Sequence, residues 1–164
     1  ELNLSCPNSH ASGIEFGADF TTIAAVVAAC RRATALPLIV KLSPALPDIA
    51  GAALAARDAG ADAASVVNTV PGLLYEDGAG QRTRLGQGNG GLSGPALLPV
   101  GVLATARVVE RTGMPVIGVG GIRSAADVRQ YLRAGASLVA IGTAALADPL
   151  LPERIVRELE ESDG

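Results

Sequence analysis

The residues of this chain best suited to chemistry begin near its start. Cys6 is one of two cysteines among 164 residues, and Asn3 and Asn8 flank it. A thiol ionises near pH ~8.5, so a tuned cysteine serves as a base or as a nucleophile. The amides supply donors and acceptors together, which suits a planar polar ring. Residue type leaves base and nucleophile both open, and an inert buried thiol is the structural alternative. Lys41 is the only lysine; the chain's other twelve cations are Arg. It interrupts the apolar run Leu38-Ile39-Val40-Lys41-Leu42, where an unpaired ammonium is costly to desolvate. The alternative there is a buried stem with its head at the strand end. Asn68 and Thr69 close another apolar stretch. Gly120-Gly121 and Gly142-Thr143 each follow a short apolar run. Turns of that kind bind phosphate through backbone N–H groups after the last strands of β/α barrels, although tight turns alone also explain glycines. GxxxxGK[ST] is absent, and the one GxGxxG, at 86–91, falls in an aperiodic Gly-rich stretch rather than between a strand and a helix, so neither a P-loop nor a Rossmann site is supported. His10 reads as a solvated loop residue and Cys30 as helix packing.

These residues need elements to position them. Alternation in Glu1-Leu2-Asn3-Leu4-Ser5 predicts a strand that exits at Cys6-Pro7. Asp19 and Arg31-Arg32 bracket a helix over 20–32. A buried strand over 38–42 ends before Pro44, and a helix over 49–58 stops at Ala59-Gly60. A strand over 64–69 follows. Residues 71–89 are Gly-rich and aperiodic, and read as a long loop of the kind that forms binding surfaces. A helix over 96–112, a strand over 116–119, a helix from Ser124 to Ala134, a strand over 138–141 and a helix over 152–160 complete the chain. This alternation implies parallel βαβ units in a single domain over 1–164. With two Phe, two Tyr and no Trp, the core is aliphatic. A net charge of −3, with no Arg cluster beyond a pair, argues against nucleic acid or an anionic membrane as partner. No apolar run approaches the ~20 residues of a membrane span. Two sparse thiols are neither a disulfide framework nor a metal set, and they suit a reducing cytoplasm. The chain opens inside a strand pattern without Met and reads as a fragment.

ELNLSCPN resembles the active-site segment of dihydroorotate dehydrogenases, in the soluble class with a cysteine base. The likeness continues through VKLSP, VNT, GGLSGP, GVGGI and IGTA in family order, over nearly the whole chain. Related dihydropyrimidine dehydrogenases share ELNLSCP but usually carry His where this chain has Asn8. The resemblance implies an α/β fold, a (β/α)₈ TIM barrel of which this chain holds the last five β/α units, since a complete barrel takes about 250 residues. It implies FMN as cofactor, its phosphate at Gly120, Gly121, Gly142 and Thr143. Lys41 is then expected beside the flavin N1/C2 edge, with Asn3, Val67 and Gly94 as further flavin contacts. Asn3, Asn8, Asn68 and Thr69 are the expected substrate contacts. Cys6 becomes the base that removes the C5 proton of dihydroorotate while hydride passes from C6 to flavin N5, giving orotate in de novo pyrimidine (UMP) biosynthesis. GNGGLSGP and NTVPGLL resemble the subclass that passes electrons to a separate subunit carrying FAD and an iron–sulfur cluster, which reduces NAD. A homo-oligomer is expected. Two alternatives stand beside this reading: a dihydropyrimidine dehydrogenase-type flavin domain, and a catalytically silent phosphate-binding barrel fragment.

Overall fold

Capping residues set the helix ends. In a computed structural model, which describes residues 1–5, 19–78, 80–86 and 88–163, Asp19 accepts from the N–H groups of Thr21 and Thr22 and starts α1 (Phe20–Ala33). Asp48 accepts from Gly51 N–H at 2.8 Å and starts α2 (Ile49–Asp58). Ser124 accepts from Asp127 N–H at 3.3 Å and starts α4 (Ala125–Arg133). Each cap satisfies a donor that the first helical turn leaves orphaned. The remaining helices are α3 (Leu98–Thr112), entered through a 3₁₀ turn over Pro95–Leu97, α5 (Thr143–Ala147) and α6 (Leu151–Asp163).

Between the helices lie β1 (Leu2–Asn3), β2 (Ile39–Leu42), β3 (Ala63–Val66), β4 (Val70–Gly72), β5 (Gly90–Leu92), β6 (Val116–Val119) and β7 (Leu138–Ala140). Five of them form one parallel sheet in the order β1-β2-β3-β6-β7. Successive side chains of a strand point to opposite faces. Val40, Leu42, Ala64, Val66 and Val116 are fully buried and pack against Ile23, Val27, Ala52, Ala53, Ala56 and Val108 of the helices. Burying one such Val or Ile contributes about 1.5–3 kcal/mol, so this aliphatic layer holds the sheet in place. The chain contains the five parallel strands and the intervening helices of a partial barrel.

Three local readings change. Residues 71–89 are not wholly irregular: β4 and β5 pair antiparallel at the base of that segment, with Val70 opposite Leu92 and Gly72 opposite Gly90. Val-Pro-Gly and Gly-Gly-Leu carry little strand propensity, so pairing across a long loop was hidden. The strand expected over 64–69 stops at Val66, and 67–69 turn away to form part of the site below. Thr143–Ala147 is a short helix, too brief to show a 3.6-residue period. Among the described residues, no helix is long and apolar enough to cross a membrane.

Candidate active site

Parallel register places one residue of each strand in a common row. Asn3, Lys41, Ser65, Ile117 and Leu138 align across β1, β2, β3, β6 and β7, on the face turned away from the helical core. Lys41 is half-buried between the fully buried Val40 and Leu42. Its Nζ donates to Ser65 Oγ at 3.3 Å, and no carboxylate pairs with it among the described residues. A positive charge is therefore held at the sheet face by one neutral partner.

At the carboxyl end of the row, three polar side chains lock together. Asn3 Oδ1 accepts from Ser5 N–H at 3.2 Å, Ser5 Oγ at 3.0 Å and Asn68 Nδ2 at 3.3 Å. Asn68 Nδ2 also donates to Ser5 Oγ at 2.7 Å, and Asn68 Oδ1 accepts from Thr69 N–H at 2.8 Å. Ser5 is 2% exposed, where an unsatisfied hydroxyl would cost about 1–3 kcal/mol, so the network fixes both amides. The backbone delivers Asn68 to it: Val67 N–H donates to Val119 O at 2.9 Å, and Asn68 N–H to Leu42 O at 3.0 Å. Chain on both sides of β3 thus holds the turn in place. The Nδ2 group of Asn3 has no protein acceptor among the described residues.

Beside this network opens a cavity of about 270 Å³. Its walls include Lys41, Val67, Asn68, Thr69, Gly94, Gly120, Gly121, Gly142 and Thr143. Asn3 joins through Asn68 rather than as a wall residue. Cys6 and Asn8 lie outside the described residues, as does His10. Among the described residues, no Asp or Glu lines the cavity, while two cations, Lys41 and Arg123, do. The Tyr131 hydroxyl donates to Gly120 O at 2.8 Å from below the glycine turn. Burial, reinforced by the Asp127 charge, pushes this phenol up, so it stays a donor across the working range. Thr143 Oγ1 donates to Ser93 Oγ at 2.9 Å and ties the turn after β7 to the segment before α3. A larger groove, about 590 Å³, runs between residues 44–50 and α3, bridged by the Arg111–Asp48 ion pair. It holds none of the residues expected in the site.

The sequence reading missed Ser5, Ser65, Ser93 and Arg123. Serines are too common to stand out, and only the register brings Ser65 to Lys41. Arg123 carried a usable signal, since it follows Gly120-Gly121-Ile122 directly. Among the described residues, no group of three or more His, Cys, Asp or Glu could hold a metal.

A profile of the family described as dihydroorotate dehydrogenase matches residues 1–162. The chain belongs to the dihydroorotate dehydrogenase family. A catalytic subunit of the NAD-linked dihydroorotate dehydrogenase B from Pelobacter propionicus is 46% identical over 160 residues, 98% of this chain and 52% of that protein. A Solibacter usitatus relative, named as a fumarate-linked dihydroorotate dehydrogenase A, is also 46% identical, over 97% of this chain and 52% of its own length. The chain spans about half the length of the curated relatives it matches. The fold is shared with a crystal structure of the Eimeria tenella dihydroorotate dehydrogenase, solved with ferulenol, at a TM-score of 0.77 and 24% identity over 96% of this chain and 47% of that one. Family membership and the TIM-barrel neighbour agree with the fold expected from the motifs.

Proposed function

We propose that the protein carrying this chain oxidises dihydroorotate to orotate with FMN, as a cytoplasmic step of pyrimidine biosynthesis. The observation that carries this reading is the cavity that gathers Lys41, Asn68, Thr69 and the glycine turns at one end of the parallel sheet, with no carboxylate in its walls among the described residues. The cavity suits a phosphorylated flavin. A Cβ built at Gly94 or Gly142 would meet nothing within 4 Å, so at both turns a ligand can approach the backbone closely. In this proposal Gly120, Gly121, Gly142 and Thr143 hold the phosphate, and Val67 and Gly94 border the ring. Bound FMN supplies a two-electron acceptor.

The chain's own residues do the rest. Lys41 holds a fixed positive charge where electron density accumulates, and it needs no reorganisation to do so. Asn3 offers its Nδ2 to the substrate. Asn68 keeps a lone pair on Oδ1, and Thr69 presents its hydroxyl. Asn8, expected among the substrate contacts from the resemblance, adds a further amide in this proposal. Cys6, the base in this proposal, follows Ser5 of the locked Asn3–Ser5–Asn68 network directly in sequence. Its thiolate takes the proton from substrate C5. The proposal extends to a partner subunit with FAD and an iron–sulfur cluster that passes electrons to NAD, and to a homo-oligomer.

Single-turnover mixing of the full-length holoprotein with dihydroorotate under anaerobic conditions tests this, with flavin absorbance as the readout. Cys6→Ala is expected to keep the flavin spectrum and orotate binding but to slow bleaching by about 10²–10⁴-fold. Raising the pH should speed the wild type until the thiol ionises and should leave Cys6→Ala nearly flat. Equal rates for the two proteins would remove Cys6 as the base. A preparation that FMN cannot restore would end the flavoenzyme reading.

A further inference from the structure

The phosphate proposed at the glycine turns is a dianion, and the backbone around it is only partly free to meet that charge. The first turn of α4, directly after Gly120-Gly121, satisfies itself. Asp127 Oδ2 accepts from Arg123 N–H at 2.9 Å and from Ser124 Oγ at 3.0 Å, while Ser124 Oγ accepts from Asp127 N–H at 3.3 Å. This reciprocal capping places a carboxylate where an anion would otherwise sit. Lys41 cannot supply the missing charge. It lies on β2, two strands from β6, roughly 10 Å across the sheet at the usual strand spacing, and its Nζ is held by Ser65. Arg123 has what the other groups lack. It is exposed, lines the cavity beside Gly120, Gly121, Gly142 and Thr143, and its guanidinium has no ion-pair partner among the described residues. Other arginines are ion-paired, as Arg31 is with Asp62 and Arg111 with Asp48.

We infer that Arg123 is the side-chain anchor of the flavin phosphate, and that it makes the site select FMN over unphosphorylated riboflavin. The inference rests on the FMN reading above. The two cavity cations then divide the ligand: Lys41 serves the ring and Arg123 the phosphate. Guanidinium offers paired donors that match phosphate oxygens, which an ammonium does not reproduce. Because the side chain is exposed and joins no ion pair among the described residues, its replacement is expected to leave the barrel intact.

Fluorescence titration of the full-length apoprotein with FMN and with riboflavin, the latter with and without inorganic phosphate, tests the assignment. Arg123→Gln is expected to weaken FMN binding by about 10- to 100-fold, the worth of one charge-assisted contact, and to leave riboflavin unchanged. Arg123→Lys should recover part of the loss. In the wild type, inorganic phosphate should compete with FMN and not with riboflavin, and in Arg123→Gln that competition should fade. FMN binding by Arg123→Gln equal to wild type would overturn the inference while leaving the FMN reading intact. An equal loss for FMN and riboflavin would overturn it in favour of a structural role. A wild-type protein that binds neither would overturn both.

Discussion

At the scale of single residues, glycines that look alike in sequence have different duties. A Cβ at Gly121 would meet Leu98 N at 2.5 Å, at a φ of +75°, so this glycine is needed for α3 to approach the turn whether or not a ligand binds. Gly142 has open space before it. Gly142→Val is therefore expected to leave the thermal midpoint of the apoprotein near wild type and to weaken FMN severalfold or more, measured by titration. Retained affinity would make the second turn a purely structural one. Cys6, Asn3, Lys41 and Asn68 stood out in the sequence because each is a rare or polar type where an apolar strand is ending. Ser5 and Ser65 did not, because their importance lies in which strand they face, and register is a property of the sheet.

At the scale of elements, boundaries were legible wherever a cap or breaker marked them. The helix at Ile49–Asp58 and the strand at Val116–Val119 fall where expected, between Asp48 and Gly60 and between Pro115 and Gly120. The β4–β5 pair was hidden because its partners lie far apart in sequence and contain Gly and Pro. One connection between elements rests on an ionised group. Asp62, just before β3, accepts from Leu38 N–H at 2.7 Å and from Arg31 at 2.9 Å, joining the approach to β2 to the end of α1. The Leu38 N–H, and then Arg31, hold its carboxyl below the usual range. A depressed value in the folded state means that the stabilisation is present above the unfolded pKa, near ~3.9, and is lost as the pH falls through the folded value. Asp62→Asn should therefore melt below wild type at neutral pH, and the gap in thermal midpoint should close on acidification below about pH 4. A gap independent of pH would mean that the charge is not what holds this junction.

At the scale of the whole molecule, the sheet has two edges without a strand partner among the described residues, β1 and β7. Leu138 on β7 is 63% exposed and Leu146 beyond it 86%. Open parallel edges with exposed leucines invite pairing with other chains. Residues 1–164 expressed alone are expected to self-associate, and sedimentation velocity would show species larger than one chain. A monodisperse monomer with a cooperative melt would contradict this. Parallel βαβ units were legible from strand–helix alternation, and the barrel class from the family resemblance. The solitary lysine has a further consequence, in peptide mapping. Acylation of Lys41 abolishes the tryptic cut between Arg32 and Arg57, so modified chains release one long peptide, 33–57, and unmodified chains release two. With Lys41 on the cavity wall, that long peptide should become scarcer when FMN is added before the acylating reagent. An unchanged yield would place Lys41 away from the ligand. The ratio of one long peptide to two short ones thus becomes an occupancy gauge for the site, read by mass spectrometry without any assay of turnover.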